Sequence, residues 1–194
     1  MSAFLIFLSA FLVNNIVLLR FLGLCPYLGV SKKLDTAVGM TAAVFFVMVL
    51  ATMITWAIYH FILLPLNLVY LRTAAFILVI ASLVQFIEMF LKKTAKALYS
   101  AMGIYLPLIT TNCAILGTAF LVIDNEYTFF SAFIFSIGTA LGFGLALLLI
   151  SGIRERLDLA PVPDALKGAP IAFVVASLLS LAFLGFSGLL GLSL

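Results

Sequence analysis

The stretch GIYLPLITTNCAILG, residues 103–117, decides how this chain is read. It is apolar enough for lipid, yet Pro107 is followed by Thr110, Thr111, Asn112 and Cys113 in a row. Hydrocarbon offers no water to satisfy backbone groups, so an interrupted helix survives there only when packed in protein or lining a cavity. An earlier stretch, LVNNIVLLRFLGLCPYLG at residues 12–29, has the same character. Asn14 and Asn15 lie inside it, and Cys25 stands directly before Pro26. These two are the only cysteines in the chain, and each falls in an interrupted apolar segment.

The composition sets the class. Of 194 residues 66% are hydrophobic and 9% charged, against roughly 45–50% and 25% in soluble domains. An all-α integral membrane protein is expected, with almost nothing left over for a soluble domain. The formal charge of +3 carries no implication for nucleic acid, because the basic residues sit at segment ends. Met1-Ser2-Ala3 opens into an apolar run without a basic region before it, which reads as a retained first span and not a signal peptide. Two cysteines are too few for a disulfide framework.

Six apolar runs are each near the roughly 20 residues needed to cross a bilayer: about 4–23, 37–62, 71–91, 98–123, 129–153 and 171–192. Lys32 and Lys33 follow the first, Lys92, Lys93 and Lys96 the third, and Arg154, Arg156 and Lys167 the fifth. The opposite side has Arg72, with Asp124 and Glu126 in the loop after span four. By the positive-inside rule both termini face outward and the odd-numbered loops are cytoplasmic. Trp56, Tyr59, Tyr70 and Tyr127 suit the outer interfacial belt, and Tyr27 and Tyr99 the inner one.

Sliding the chain on itself by 97 residues, half its length, brings Asn15 onto Asn112, Ala75-Phe76 onto Ala172-Phe173, and span two onto span five. Three spans per half make the halves enter the membrane from opposite sides. The expected architecture is therefore six transmembrane helices in one membrane domain, residues 1–194, built as a 3+3 inverted repeat of about 1–97 and 98–194. Spans 1 and 4 are its broken half-helices, and such repeats place sites near the midplane on discontinuous helices. Cys25 and Cys113 are not repeat-equivalent, since one lies well beyond its asparagine and the other directly follows it.

Cys113 lies about 22 Å of ideal helix in from Leu98, at about 1.5 Å per residue. If span one ends as a half-helix inside the membrane, the two sulfurs can meet within its depth. Free cysteines are also ordinary small buried hydrophobes, so both readings stand at this point. A metal site would be incomplete. The one histidine, His60, sits at the outer end of span two, there is no third cysteine, and a two-iron cluster normally takes four cysteine thiolates. The chain could supply half a coordination shell, completed by a second chain.

The chain resembles the A-subunit family of the Rnf complex, the ion-translocating ferredoxin:NAD oxidoreductase of bacterial membranes (Rsx in enteric bacteria). It is similar, more distantly, to the E subunit of the sodium-pumping NADH:quinone oxidoreductase. The resemblance covers essentially the whole chain. It rests on VNN at 13–15, FLGLCP at 21–26, VSKKL at 30–34, PLNLVYLRT at 65–73, VQFIEM at 84–89, LPLITTNCAILG at 106–117, IRERL at 153–157 and GFSGL at 185–189.

It implies a six-span subunit of the bacterial inner membrane that pairs with a homologous, oppositely oriented E subunit. Each partner would give two cysteines, here Cys25 and Cys113, to one intramembrane [2Fe–2S] cluster. It also implies cytoplasmic iron–sulfur and flavin subunits fed by ferredoxin or NADH, covalent-flavin subunits that take the electrons on the outer side, and coupling to Na+ or H+ movement.

Other residues carry two readings each. Glu88, with Gln85 one turn earlier on span three, is either an entry site for a translocated cation or half of an ordinary pair with Lys92. Arg20 either offsets the charge of a thiolate-ligated cluster or snorkels to an interface. Asn14, Asn15, Thr110, Thr111 and Asn112 either donate hydrogen bonds to cluster sulfurs or satisfy the broken backbone. Gly138, Gly142 and Gly144 form a close-packing face on span five, internal or between subunits. The 154–168 stretch, with Pro161 and Pro163, is the longest cytoplasmic loop, a docking surface or a plain linker. No nucleotide-binding glycine loop, nucleophile–histidine pair or flavin attachment signature is present, so no bond-making chemistry is expected of this chain. Two rivals remain: a small secondary transporter, whose hallmark is the inverted repeat, and a thiol oxidoreductase cycling Cys25 and Cys113 through a disulfide.

Overall fold

The computed structural model describes residues 3–31, 34–94, 109, 111–163 and 166–186. Within them the chain is helical, and no strand occurs among the described residues. Helix α1, Ala3–Leu8, widens into a π-helical turn at Ser9–Val13 and stops. A non-helical run over residues 14–23 leads to the short α2, Leu24–Gly29. Helix α3, Leu34–Ile58, continues as a π-helical turn through Leu63. A 3-10 turn at Val69–Leu71 opens α4, Arg72–Thr94. Then come α5, Cys113–Asp124, α6, Phe129–Leu157, and α7, Ala169–Leu184.

Leu34–Leu63, Val69–Met89 and Phe129–Leu157 are long and apolar enough to cross a membrane. They correspond to expected spans two, three and five. The apolar pieces Ala3–Val13, Cys113–Asp124 and Ala169–Leu184 are shorter. At about 1.5 Å per residue, the twelve residues of α5 reach about 18 Å, well short of a hydrocarbon core of about 30 Å. Residues 98–108 and 110 of expected span four, with Thr110, and 187–192 of span six lie outside the described residues.

Two local expectations are corrected. A proline just past span one is expected to stop its helix, but the first helix already ends at Val13. Pro26 stands instead in the first turn of α2, where the missing N–H has no intrahelical acceptor to lose. Arg154 and Arg156 are not in a loop but in the last turn of α6, where positive charge suits the helix C-terminus. Arg154 donates to the Leu28 carbonyl and to Ser31 Oγ, both at 2.8 Å, and so clamps the far end of α2. The connecting stretch shrinks to residues 158–168.

The core is the long seam between α3 and α6. Met40, Val44, Val47, Met48 and Ala51 of one meet Ala140, Phe143, Ala146, Leu147 and Ile150 of the other. The glycine face of α6 is internal. A methyl added at Gly138 would lie 2.9 Å from the Phe7 carbonyl oxygen, one at Gly142 would lie 2.8 Å from that of Phe11, and one at Gly144 would strike Thr41 of α3. Small residues here let backbones approach, as helix pairs in lipid require.

That approach feeds the break. Asn15 is fully buried. Its Nδ2 donates to the carbonyls of Gly142 at 2.8 Å and Phe11 at 3.5 Å. Its Oδ1 accepts from the N–H groups of Val17 at 3.1 Å and Leu18 at 3.3 Å. Ser180 of α7 donates to the Leu18 carbonyl at 2.6 Å, and Asn14 Nδ2 donates to Ser9 Oγ at 3.1 Å. The interruption is thus satisfied from inside the protein.

The two ends differ chemically. At one, Trp56 Nε1 donates to the Tyr127 carbonyl at 2.9 Å, the Trp56 ring stacks on His60 at 4.1 Å, and Arg72 pairs with Asp124 at 2.7 Å. At the other, Arg154 holds α2, and Glu155 accepts from the Leu34 N–H at 3.0 Å.

Two stability measurements on the purified protein in detergent follow. Gly142→Ala is expected to destabilise by about 1–3 kcal/mol through overpacking, whereas Gly152→Ala, with nothing within 4 Å, is neutral or gains up to about 1 kcal/mol. Asn15→Leu strands two backbone N–H groups and is expected to cost at least about 2 kcal/mol, with Asn15→Ser milder because a side-chain oxygen is kept.

Candidate metal centre

Residues 21–25 turn the chain out of the break and into α2. Phe21 and Gly23 adopt left-handed backbone, with φ of 53° and 82°. Phe21 carries a steric cost there that Gly23 avoids. Gly23 is buried against the second interruption. A methyl placed on it would lie 3.0 Å from Ala114 Cβ, 3.0 Å from Phe143 Cε2 and 3.1 Å from Asn112 Oδ1. Asn112 and Ala114 flank Cys113, and Gly23 lies two residues before Cys25. Cys25 is the second residue of α2, and Cys113 is the first of α5. Two short helices therefore begin side by side, each with a cysteine in its first turn.

Asn112 caps α5. Its backbone is extended (φ −73°, ψ 108°), and its Oδ1 accepts from the Ala114 N–H at 3.0 Å. Cys113 follows at the positive end of a twelve-residue helix, where anions are favoured. Both cysteines are free and exposed on the surface of the chain. Beside Cys113 a cavity of about 300 Å³ opens between α4 and the start of α5, lined by Ile77, Ile80, Ala81, Thr111, Asn112, Cys113 and Leu116. The wall on the α4 side is aliphatic, so a centre there would have little water on that flank.

Among the described residues no group of three His, Cys, Asp or Glu side chains converges. Two exposed cysteines are what this chain offers at the helix starts. This donor set fits one half of a four-thiolate [2Fe–2S] shell, with both sulfurs accessible to a second chain.

The remaining candidates are dispersed. Asn15 lies in the floor of the break with both amide hydrogens used on backbone carbonyls. Thr111 is exposed, one residue ahead of the cap. Arg20 is exposed within the break. Glu88 is half-buried on α4, and the side chain of Lys92 is outside the described residues. His60 keeps to the Trp56 end of α3.

Two contributors were not singled out in the sequence. Gly23 had a signal, a glycine two residues before Cys-Pro at a break, where a left-handed turn is needed. Arg154 had none, because its partners Leu28 and Ser31 are more than a hundred residues away in the chain.

Comparison with known proteins gives a consistent assignment. The profile of the Rnf-Nqr family, described as Rnf-Nqr subunit, membrane protein, matches residues 3–190. The A subunit of the Na(+)-translocating ferredoxin:NAD(+) oxidoreductase complex of Acetobacterium woodii is 57% identical over 97% of this chain and 98% of its own length. The A subunit of the ion-translocating oxidoreductase complex of Syntrophotalea carbinolica is 57% identical, over 95% and 96%. That of Cronobacter sakazakii is 58% identical over the same shares. With a profile match and relatives of this identity across nearly its full length, the chain belongs to the Rnf-Nqr family of membrane subunits.

Proposed function

We propose that this chain is the A-type membrane subunit of an Rnf-type ion-translocating oxidoreductase complex. In this reading Cys25 and Cys113 supply half the ligands of a [2Fe–2S] cluster shared with a homologous, oppositely oriented subunit. One observation carries it: Gly23 against Asn112 and Ala114 brings the starts of two cysteine-bearing half-helices together at the chain's surface. The names of the relatives support the complex, and the half-shell of two thiolates supports the shared ligation.

A 3+3 inverted repeat in six crossings is part of the proposal. A shift of 97 residues carries Arg72, the first residue of α4, onto Ala169, the first of α7. It carries α3 onto residues 131–155, inside α6. Asn15 and Asn112, related by the same shift, each accept from the N–H two residues ahead, at Val17 and Ala114. With Arg154 and Arg156 at one end and Arg72, Asp124 and Trp56 at the other, the termini face outward in the bacterial inner membrane.

When bound, such a cluster supplies one-electron transfer at membrane depth. The chain's own part is to hold Cys25 and Cys113 as thiolates at fixed helix starts. Arg154 anchors the far end of α2, Asn112 caps α5, and Ile77 and Ile80 keep water from one flank. Electrons from the ferredoxin or NADH side pass outward, coupled to Na+ or H+ movement.

Iron and acid-labile sulfide measured on the chain copurified with its partner test this directly. Both are expected, and Cys113→Ala or Cys25→Ala is expected to abolish the visible absorbance while the chain still inserts. A transporter would carry neither element, a thiol enzyme would show a reducible disulfide without colour, and a cluster retained in both variants would overturn the assignment.

A further inference from the structure

The interrupted segments carry three asparagines, and the structure separates them. Asn14 spends its amide on Ser9 Oγ. Asn15 spends both amide hydrogens on the carbonyls of Phe11 and Gly142. Asn112 does not. It is 3% exposed, and its Nδ2 has no hydrogen-bond partner among the described residues. The orientation of this amide is fixed by chemistry. The Ala114 N–H can only donate, so the atom 3.0 Å from it is the oxygen, and the other terminal atom is the NH2 group.

A buried donor without an acceptor is costly, and native structures retain one where another group completes it. Asn112 directly precedes Cys113 and lines the cavity beside it. Its Oδ1 lies 3.1 Å from a methyl position on Gly23, two residues before Cys25. The Asn112 side chain thus lies where the two cysteine-bearing helix starts approach, with its oxygen toward Gly23 and its amide buried and unpaired among the described residues. Anionic sulfur is the acceptor that this placement suits.

We propose that the Asn112 side-chain amide donates a hydrogen bond to sulfur at the Cys25–Cys113 centre and raises its reduction potential. The inference rests on the cluster reading above. Reduction adds one negative charge to a centre already held by thiolates, so a donor to sulfur favours the reduced form more than the oxidised one. Asn112 is then a positioning and tuning residue, while the cysteines remain the ligands.

The test is an EPR-monitored redox titration of the chain copurified with its partner. Asn112→Ser keeps an oxygen that caps α5 but has no amide. It is expected to retain iron and to lower the midpoint by about 59 mV, a tenfold change for a one-electron couple. Asn112→Asp keeps the cap, sets a carboxylate oxygen where the amide stood, and lowers the midpoint at least as far. An unchanged midpoint in Asn112→Ser with its iron intact overturns the proposal and leaves Asn112 as a helix cap alone. An Asn112→Ser variant that takes up no iron also overturns it, because a residue that only donates to sulfur is dispensable for ligation. Absence of iron and sulfide from the unsubstituted pair overturns the cluster reading itself, and this inference with it.

Discussion

The hydrogen bond from Asn15 Nδ2 to the Gly142 carbonyl, 2.8 Å long and fully buried, is the contact on which the rest of the structure depends. A chain that leaves a helix inside lipid must find new partners for its backbone. Gly142 has no side chain, so the end of the first helix comes close enough for Asn15 to reach across to α6. The same side chain then turns its oxygen onto the N–H groups of Val17 and Leu18. With the break stabilised in this way, the chain is free to run through residues 16–23 without helix and to start α2 in a new direction. The position of Cys25 is a consequence of that turn.

The second interruption uses the same device with a different outcome. Asn112 caps α5 as Asn15 caps the turn at residues 16–18, each with its oxygen on the N–H two residues ahead. The donors diverge. One asparagine ties its helix end to a neighbouring backbone, and the other leaves its amide without a partner among the described residues. Asn15 and Asn112 lie 97 residues apart, and only the second is followed directly by a cysteine.

Much of this was legible in the residues. Polar side chains inside apolar runs announce an interruption because lipid does not tolerate them idle, and the first helix does stop at Val13, just before Asn14 and Asn15. Span lengths followed from hydropathy, and spans two, three and five emerged as long helices. What the sequence could not resolve depends on which surfaces face each other. Pro26 signals a helix boundary but not its polarity, and it opens α2 instead of ending α1. The arginines of IRERL read as loop charges because hydropathy falls there, although the helix runs on through Leu157. The glycines of α6 signal close packing without naming the partner, which is the broken first helix for Gly138 and Gly142 and α3 for Gly144.

The central claim is that the starts of two short helices, α2 and α5, present Cys25 and Cys113 side by side. It is tested most directly on the metal-free chain in detergent, with a bifunctional thiol reagent that fluoresces only when both of its arms are alkylated. The account predicts fluorescence on the full-length chain at one reagent per molecule, with none when either cysteine is replaced by alanine. Two singly alkylated cysteines, with no fluorescent bridge at any reagent concentration, would contradict it.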